Sequence, residues 1–214
     1  MRLYPTILTD DKDDYEMQLR RDANFAEVID IDVIDWSLTP NKTVSAIDAL
    51  DNDVNIRLNF DLMMDEPSKA IEVLVDDHRV GKIIVNLALQ EDFGEISKLI
   101  TEGGKILAVS FHEDSQYAQV KELINEVRAV HVFAIKPGAQ GNKFRPEMLE
   151  YANRLRNDGF KGEISLDGGV NAETLPLIMK YPFDTAVAGS AISKSSNPEM
   201  TYRELLDIIE EHSN

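Results

Sequence analysis

The chain has 214 residues, 22 Lys and Arg against 39 Asp and Glu, a formal net charge of −17, four His and no Cys. That length can bury a core unaided, and the lack of cysteine excludes disulfides, thiolate nucleophiles, zinc fingers and iron–sulfur clusters. The charge disfavours nucleic acid and anionic membrane as partners; with no signal-like N-terminus and no run near the ~20 apolar residues of a membrane span, a cytoplasmic protein is expected.

Taken in chain order, eight short apolar runs read as strands: LYPTIL (3–8), AEVIDIDVI (26–34), VNIRLNFDL (54–62), KIIVNLAL (82–89), KILAVSF (105–111), AVHVFAI (129–135), GEISLD (162–167) and DTAVAG (184–189). Several are apolar on both alternate faces, as strands covered on both sides must be. Between them lie amphipathic stretches with helix signals. A short one covers 43–50, and Pro67 opens the next at the position where a missing N–H costs nothing. Others cover 92–100 with a stop at Gly103-Gly104, 117–127, and 146–157 with a stop at Asp158-Gly159. Asn171 reads as the cap of a helix over AETLPLIMKY, and Glu199 falls in the first turn of the last helix. No linker or low-complexity tract interrupts the rhythm, so residues 1–214 form one domain. Eight βα units of this size predict a single-domain α/β fold, a (β/α)8 TIM barrel, with a doubly wound open sheet as the rival.

In a barrel the chemistry belongs at the C-terminal strand ends. Alternation puts Asp30 and Asp32 on one face of the second strand, the third ends Asn59-Phe60-Asp61-Leu62-Met63, and the seventh ends Asp167-Gly168-Gly169. Helices cover the outer face, so these acids point into the lumen or lie beyond the strand end. Carboxylates converging there repel one another unless a cation or a shared proton compensates, which points to metal ligation and general acid/base chemistry. A bland alternative is a solvated acidic strand. Glycine-rich turns follow the last three strands: Pro137-Gly138-Ala139-Gln140-Gly141-Asn142, Gly168-Gly169 and Gly189-Ser190. Their backbone N–H groups would hold a phosphate without cationic side chains, the local exception that so acidic a chain requires.

The blocks KPGAQGNKF, SLDGGVNAETLPLI and DTAVAGSAI resemble those of the ribulose-phosphate 3-epimerase family, which typically read NPGFGGQKF, DGGVN and AGSAIF. Residues 6–9 (TILT) are similar to a family SILS segment, DIDVIDWSLTPN (30–41) to HVDVMDGHFVPN, and NFDLM (59–63) to DVHLM. The resemblance covers essentially the whole chain and implies a barrel that interconverts D-ribulose 5-phosphate and D-xylulose 5-phosphate. Two aspartates exchange the proton on carbon 3 through an enediolate beside a bound divalent metal. The acid/base positions fall on Asp32 and Asp167, which are metal ligands in the family as well. The two remaining ligands, histidines in the family, fall on Asp30 and Asp61. Thr6 takes the place of a serine near the substrate. Phosphate-binding positions fall on Gly138, Ala139, Gln140, Gly141, Gly168, Gly169, Gly189 and Ser190.

Departures gather around the same pocket. Trp36 stands at a family glycine, Ile34 and Phe133 at pocket methionines while Met63 is kept, Asn86 at a histidine, and Lys136 at an Asn or Glu. With four carboxylates as the donor set, Mn2+ or Mg2+ is favoured over Zn2+ or Fe2+ as the cofactor, or no ion binds at all. The expected partner is a sugar phosphate, pentose or hexose, and the family resemblance implies a homo-oligomer. Alternatives to the epimerase are a silent phosphosugar-binding homologue and a lyase that uses Lys136 as a Schiff-base amine, against which stands a plain solvated lysine. His78 and His212 are expected in solvent and His131 at the strand end remote from the mouth, whereas His112 can reach the mouth.

Overall fold

The computed structural model describes residues 1–136 and 142–212. Parallel strands β1 (Arg2–Ile7), β2 (Val28–Ile34), β3 (Arg57–Met63), β4 (Val80–Asn86), β5 (Ile106–Phe111), β6 (Ala129–Phe133), β7 (Glu163–Asp167) and β8 (Thr185–Ala188) pair in chain order and close into a barrel. Closure is by β1 on β8, with Arg2 opposite Thr185 and Pro5 opposite Ala188. The open-sheet alternative is thereby set aside. Helices on the outside are α1 (Lys12–Asp22), α2 (Ala46–Leu50), α3 (Ser68–Asp76), α4 (Phe93–Glu102), α5 (Tyr117–Leu123), α6 (Glu150–Asn157), α7 (Leu175–Ile178), α8 (Ser190–Ser193) and α9 (Pro198–Glu211). Among the described residues no helix is long and apolar enough to cross a membrane.

The strand pattern produces two apolar regions. Outward residues such as Ile29, Ile31, Leu58, Phe60, Ile83, Val109 and Leu166 join the inner faces of the helices in one continuous core. Inward residues form small separate clusters, Ile34–Met63–Phe133 and Ile84–Ala108–Ala129. The rest of the lumen is polar. At about 25 cal/mol per Å2, the shell between sheet and helices carries most of the burial energy, which leaves the lumen free for charge.

The expected boundaries hold where a side chain or glycine enforces them. Asp92 accepts from the Glu95 N–H at 3.0 Å to start α4, and Gly104 at φ 72° follows its end. Gly159, at φ 93°, closes α6 in the same way. Where the boundaries differ, local bonds explain it. Strand β4 stops at Asn86 because its Oδ1 accepts from Ala88 N–H at 2.7 Å and turns the chain. The helix expected over 172–181 is only α7, since Pro176 fits no later than a first turn, and Asn171 caps the preceding turn through Glu173 and Thr174 N–H. Residues 146–149 are 3-10 rather than α-helical, and α5 ends at Leu123. Helix α1 goes unmarked in the periodicity: of its apolar residues Tyr15 and Leu19 are buried but Met17 is exposed.

Candidate active site

Alternation aims Asp30 and Asp32 of β2, Asn59 and Asp61 of β3, Lys82 and Asn86 of β4, His131 of β6, and Glu163, Ser165 and Asp167 of β7 into the barrel. These side chains separate into two groups. At the floor, nearer the strand starts, Lys82 Nζ is 2.6 Å from Glu163 Oε1, and Arg2 reaches Glu163 Oε2 at 2.9 Å. Thr185 donates to Glu163 at 3.1 Å, and Asn59 Nδ2 donates to Asp30 Oδ1 at 2.8 Å. Burial alone would raise the Glu163 carboxyl, yet Lys82, with Arg2 and Thr185, holds it below its ordinary range. Burial raises Asp30, with Lys82 and the Asn59 bond opposing.

Towards the mouth the balance is reversed. Asp32 and Asp167, 5 % and 7 % exposed, have no cationic partner. Asp32 accepts from Thr6 Oγ1 at 3.2 Å. The Asp167 carboxylate takes the Gly168 backbone N–H. Burial first, then repulsion from Asp167 and Asp61, pushes Asp32 well above the carboxylate range. Asp167 is raised to about 7 by burial and the Asp30 charge, with the Gly168 bond opposing. Two buried acids whose charges repel do not readily ionise together.

Between the groups lies Asp61, neither of whose oxygens has a hydrogen-bond partner among the described residues. Its Oδ2 is 3.7 Å from His131 Nε2, beyond hydrogen-bond range. Burial, then Asp167 and Asp30, raises Asp61 strongly. His131 corrects an expectation. It is 2 % exposed inside the lumen rather than at a remote strand end, with Nδ1 2.7 Å from Ser165 Oγ. Burial and Lys82 push it down to about 3, so it is neutral. The missed residues Lys82, Glu163 and His131 were within reach of parity, since Glu163 lies four residues before Asp167, and His131 two before Phe133.

Of the expected substrate-side residues, Met63 and Lys136 line a cavity, and Thr6 is bonded to Asp32. The cavity, of about 190 Å3, is also lined by Asn86, His112, Leu38, Thr39, Pro40 and Ala88. Trp36 is absent from that lining. It is 61 % exposed at φ 79°, the one positive-φ residue other than glycine among those described. The resemblance expects glycine there, and this backbone shows why. Gly168 and Gly169 adopt φ 94° and 73°; a Cβ would come within 2.4 Å of Ile135 at the first and 2.5 Å of Phe144 at the second. Gly169 O is tied by Thr174 Oγ1 at 2.5 Å and Asn171 Nδ2 at 3.1 Å. Gly189 and Ser190 mark the start of α8. Gly138, Ala139, Gln140 and Gly141 lie outside the described residues.

The donor set expected for a metal is not assembled. No three His, Asp or Glu side chains among the described residues converge as they would have to around one ion, although all four aspartates are described. Asp30 is turned to Asn59, Asp32 to Thr6, Asp167 to the Gly168 amide, and Asp61 faces the His131 ring. The expectation of Mn2+ or Mg2+ over Zn2+ or Fe2+ therefore has no gathered ligand cage beneath it.

The family model described as "Ribulose-phosphate 3 epimerase family" matches residues 2–193. Curated relatives include the cytoplasmic isoform of ribulose-phosphate 3-epimerase from Oryza sativa subsp. japonica, 27 % identical over 203 residues that cover 92 % of this chain and 89 % of that protein. Ribulose-phosphate 3-epimerase from Bacillus subtilis is 26 % identical over 189 residues, 84 % of this chain and 86 % of that one. Among solved structures, KGPDC from Streptococcus mutans in complex with D-R5P superposes with TM-score 0.74 at 14 % identity, covering 99 % of this chain and 98 % of that one. 3-Hexulose-6-phosphate synthase from Salmonella typhimurium gives 0.73 at 14 %, covering 99 % and 100 %. At that identity the two structures speak for the fold alone.

Proposed function

Since the chain belongs to the ribulose-phosphate 3-epimerase family, we propose that it inverts carbon 3 of a ketose phosphate, interconverting D-ribulose 5-phosphate and D-xylulose 5-phosphate. The observation that carries this reading is the buried pair Asp32 and Asp167, both at inward-facing strand positions and both raised. The ionised member removes the C3 proton from one face of the sugar, leaving an enediolate. The protonated member delivers its proton to the opposite face. Atoms balance: the substrate loses and regains one proton, and the two acids exchange protonation states. Burial first, and neighbouring carboxylates second, favour the protonated forms from which such a proton relay draws. Thr6 orients Asp32 and Gly168 orients Asp167.

The phosphate fits at the rim, where the Gly169 turn and the Gly189–Ser190 turn offer a backbone that approaches closely. Gly189→Asp is expected to abolish sugar-phosphate binding; unchanged binding of ribulose 5-phosphate would move the site elsewhere. The family's divalent metal enters no step here.

The direct test is conversion of D-ribulose 5-phosphate to D-xylulose 5-phosphate followed by NMR. Asp32→Asn and Asp167→Asn should each lower turnover roughly 100-fold or more with the fold intact. No conversion by the parent would favour a silent phosphosugar binder. A second reading, a Schiff-base lyase, draws on Lys136 lining the mouth cavity; borohydride trapping of a sugar phosphate on Lys136 would establish it, and absence of trapping would dismiss it.

A further inference from the structure

We infer that this chain does not assemble the divalent-metal centre implied by its family resemblance, and that its lumen is instead served by a resident cation, the Lys82 ammonium. A divalent ion bound by carboxylates needs oxygens that meet at about 2.0–2.6 Å from a single point. Here two of the four aspartates are hydrogen-bonded to different neighbours. Asn59 Nδ2 holds Asp30 Oδ1 at 2.8 Å on the floor, and Thr6 Oγ1 donates to Asp32 Oδ1 at 3.2 Å. Asp61 Oδ2 lies 3.7 Å from the His131 ring, beyond hydrogen-bond range, and the Gly168 N–H favours the charged form of Asp167. No three of them converge.

The donor set also differs from the imidazole-bearing one that the resemblance implies. At positions 30 and 61, where the resemblance places two neutral imidazoles, this chain has carboxyl groups. The one imidazole in the lumen has its Nδ1 occupied by Ser165 Oγ at 2.7 Å. Beneath the acids, Lys82 is 4 % exposed, with Nζ 2.6 Å from Glu163. A fixed positive charge in a low-dielectric lumen both compensates the added carboxyls and repels a second cation. The loss of two imidazoles and the burial of one ammonium therefore work in the same direction.

Metal uptake can be read without substrate, so the inference stands or falls independently of the epimerase reading. The full chain is loaded with Mn2+ and, separately, with Zn2+, then dialysed. Bound metal is counted by mass spectrometry, and free Mn2+ is followed by its electron paramagnetic resonance signal. The parent is expected to retain far less than one equivalent of either ion. Asp30→His combined with Asp61→His, which restores the imidazoles, should acquire close to one equivalent of Zn2+. One equivalent retained by the parent and lost in Asp32→Asn would overturn the inference. The parent's own uptake decides the question whether or not the double variant folds.

Discussion

The floor and the mouth of the same lumen hold the same kinds of residues in opposite settings. On the floor, Glu163 has two cations and a hydroxyl, and Asp30 has an amide donor. Towards the mouth, Asp32 and Asp167 have a hydroxyl and a backbone amide but no cation among the described residues, and Asp61 has no hydrogen-bond partner among them. Partnership and depth of burial decide the outcome together: Glu163, the less buried and paired with Lys82, is held below its ordinary range, while the deeper Asp30, Asp32, Asp61 and Asp167 rise above theirs. A satisfied network fixes geometry, whereas an unsatisfied one holds protons ready to move.

The comparison is broken most forcefully at Lys82. Lys82→Met leaves Glu163 with only the half-exposed Arg2 and removes the cation facing Asp30, and should cost about 3–5 kcal/mol in denaturant unfolding, as breaking one side of a buried pair does. A loss below about 1 kcal/mol would mean the floor is not held by charge.

The two regions should also respond to pH with opposite sign. Asp167, raised to about 7 in the folded chain, binds its proton more tightly folded than unfolded. Its contribution is therefore full below the ordinary carboxylate range, falls as pH climbs from about 4 towards 7, and is constant above. Glu163, lowered on folding, contributes above its ordinary range and loses that contribution as pH falls through its depressed value. Urea unfolding from pH 4 to 8 should show a slope that flattens in Asp167→Asn. Glu163→Gln should instead remove part of the acid-side loss.

Smaller effects sharpen the same contrast. Trp36→Gly relieves a left-handed backbone and should stabilise by about 1 kcal/mol, set against the greater unfolded-state freedom of glycine. Asp61→Asn should change stability by less than about 1 kcal/mol at neutral pH, because burial and the neighbouring acids already disfavour the charged form of that carboxyl. A large loss there would place a charge on Asp61, and with it a bond to His131.

The barrel was legible because its strands are dense in Val, Ile and Leu and its helices carry caps at Asp92, Asp158-Gly159 and Asn171. The mouth acids were legible by alternation, since period-two spacing holds whatever the neighbours do. The floor was harder. Lys82 opens an apolar run and reads as a surface residue until Glu163, 81 positions away, is brought opposite it by closure. His131 was misplaced for a similar reason: being early in a run suggests an end, yet β6 is five residues long and His131 is its midpoint. Spacing could nominate four aspartates as one metal cage, but it could not show that Asn59 and Thr6 each hold one of them and that no three converge.

The central claim, a proton passed across carbon 3 between Asp32 and Asp167, is tested most directly by exchange with solvent. In D2O, D-ribulose 5-phosphate incubated with the protein should acquire deuterium at C3, appearing in both the recovered ribulose and the xylulose phosphate. Asp167→Asn and Asp32→Asn should each suppress it. A parent protein that forms xylulose 5-phosphate with no deuterium at C3, or exchanges it equally well without either acid, would contradict the account.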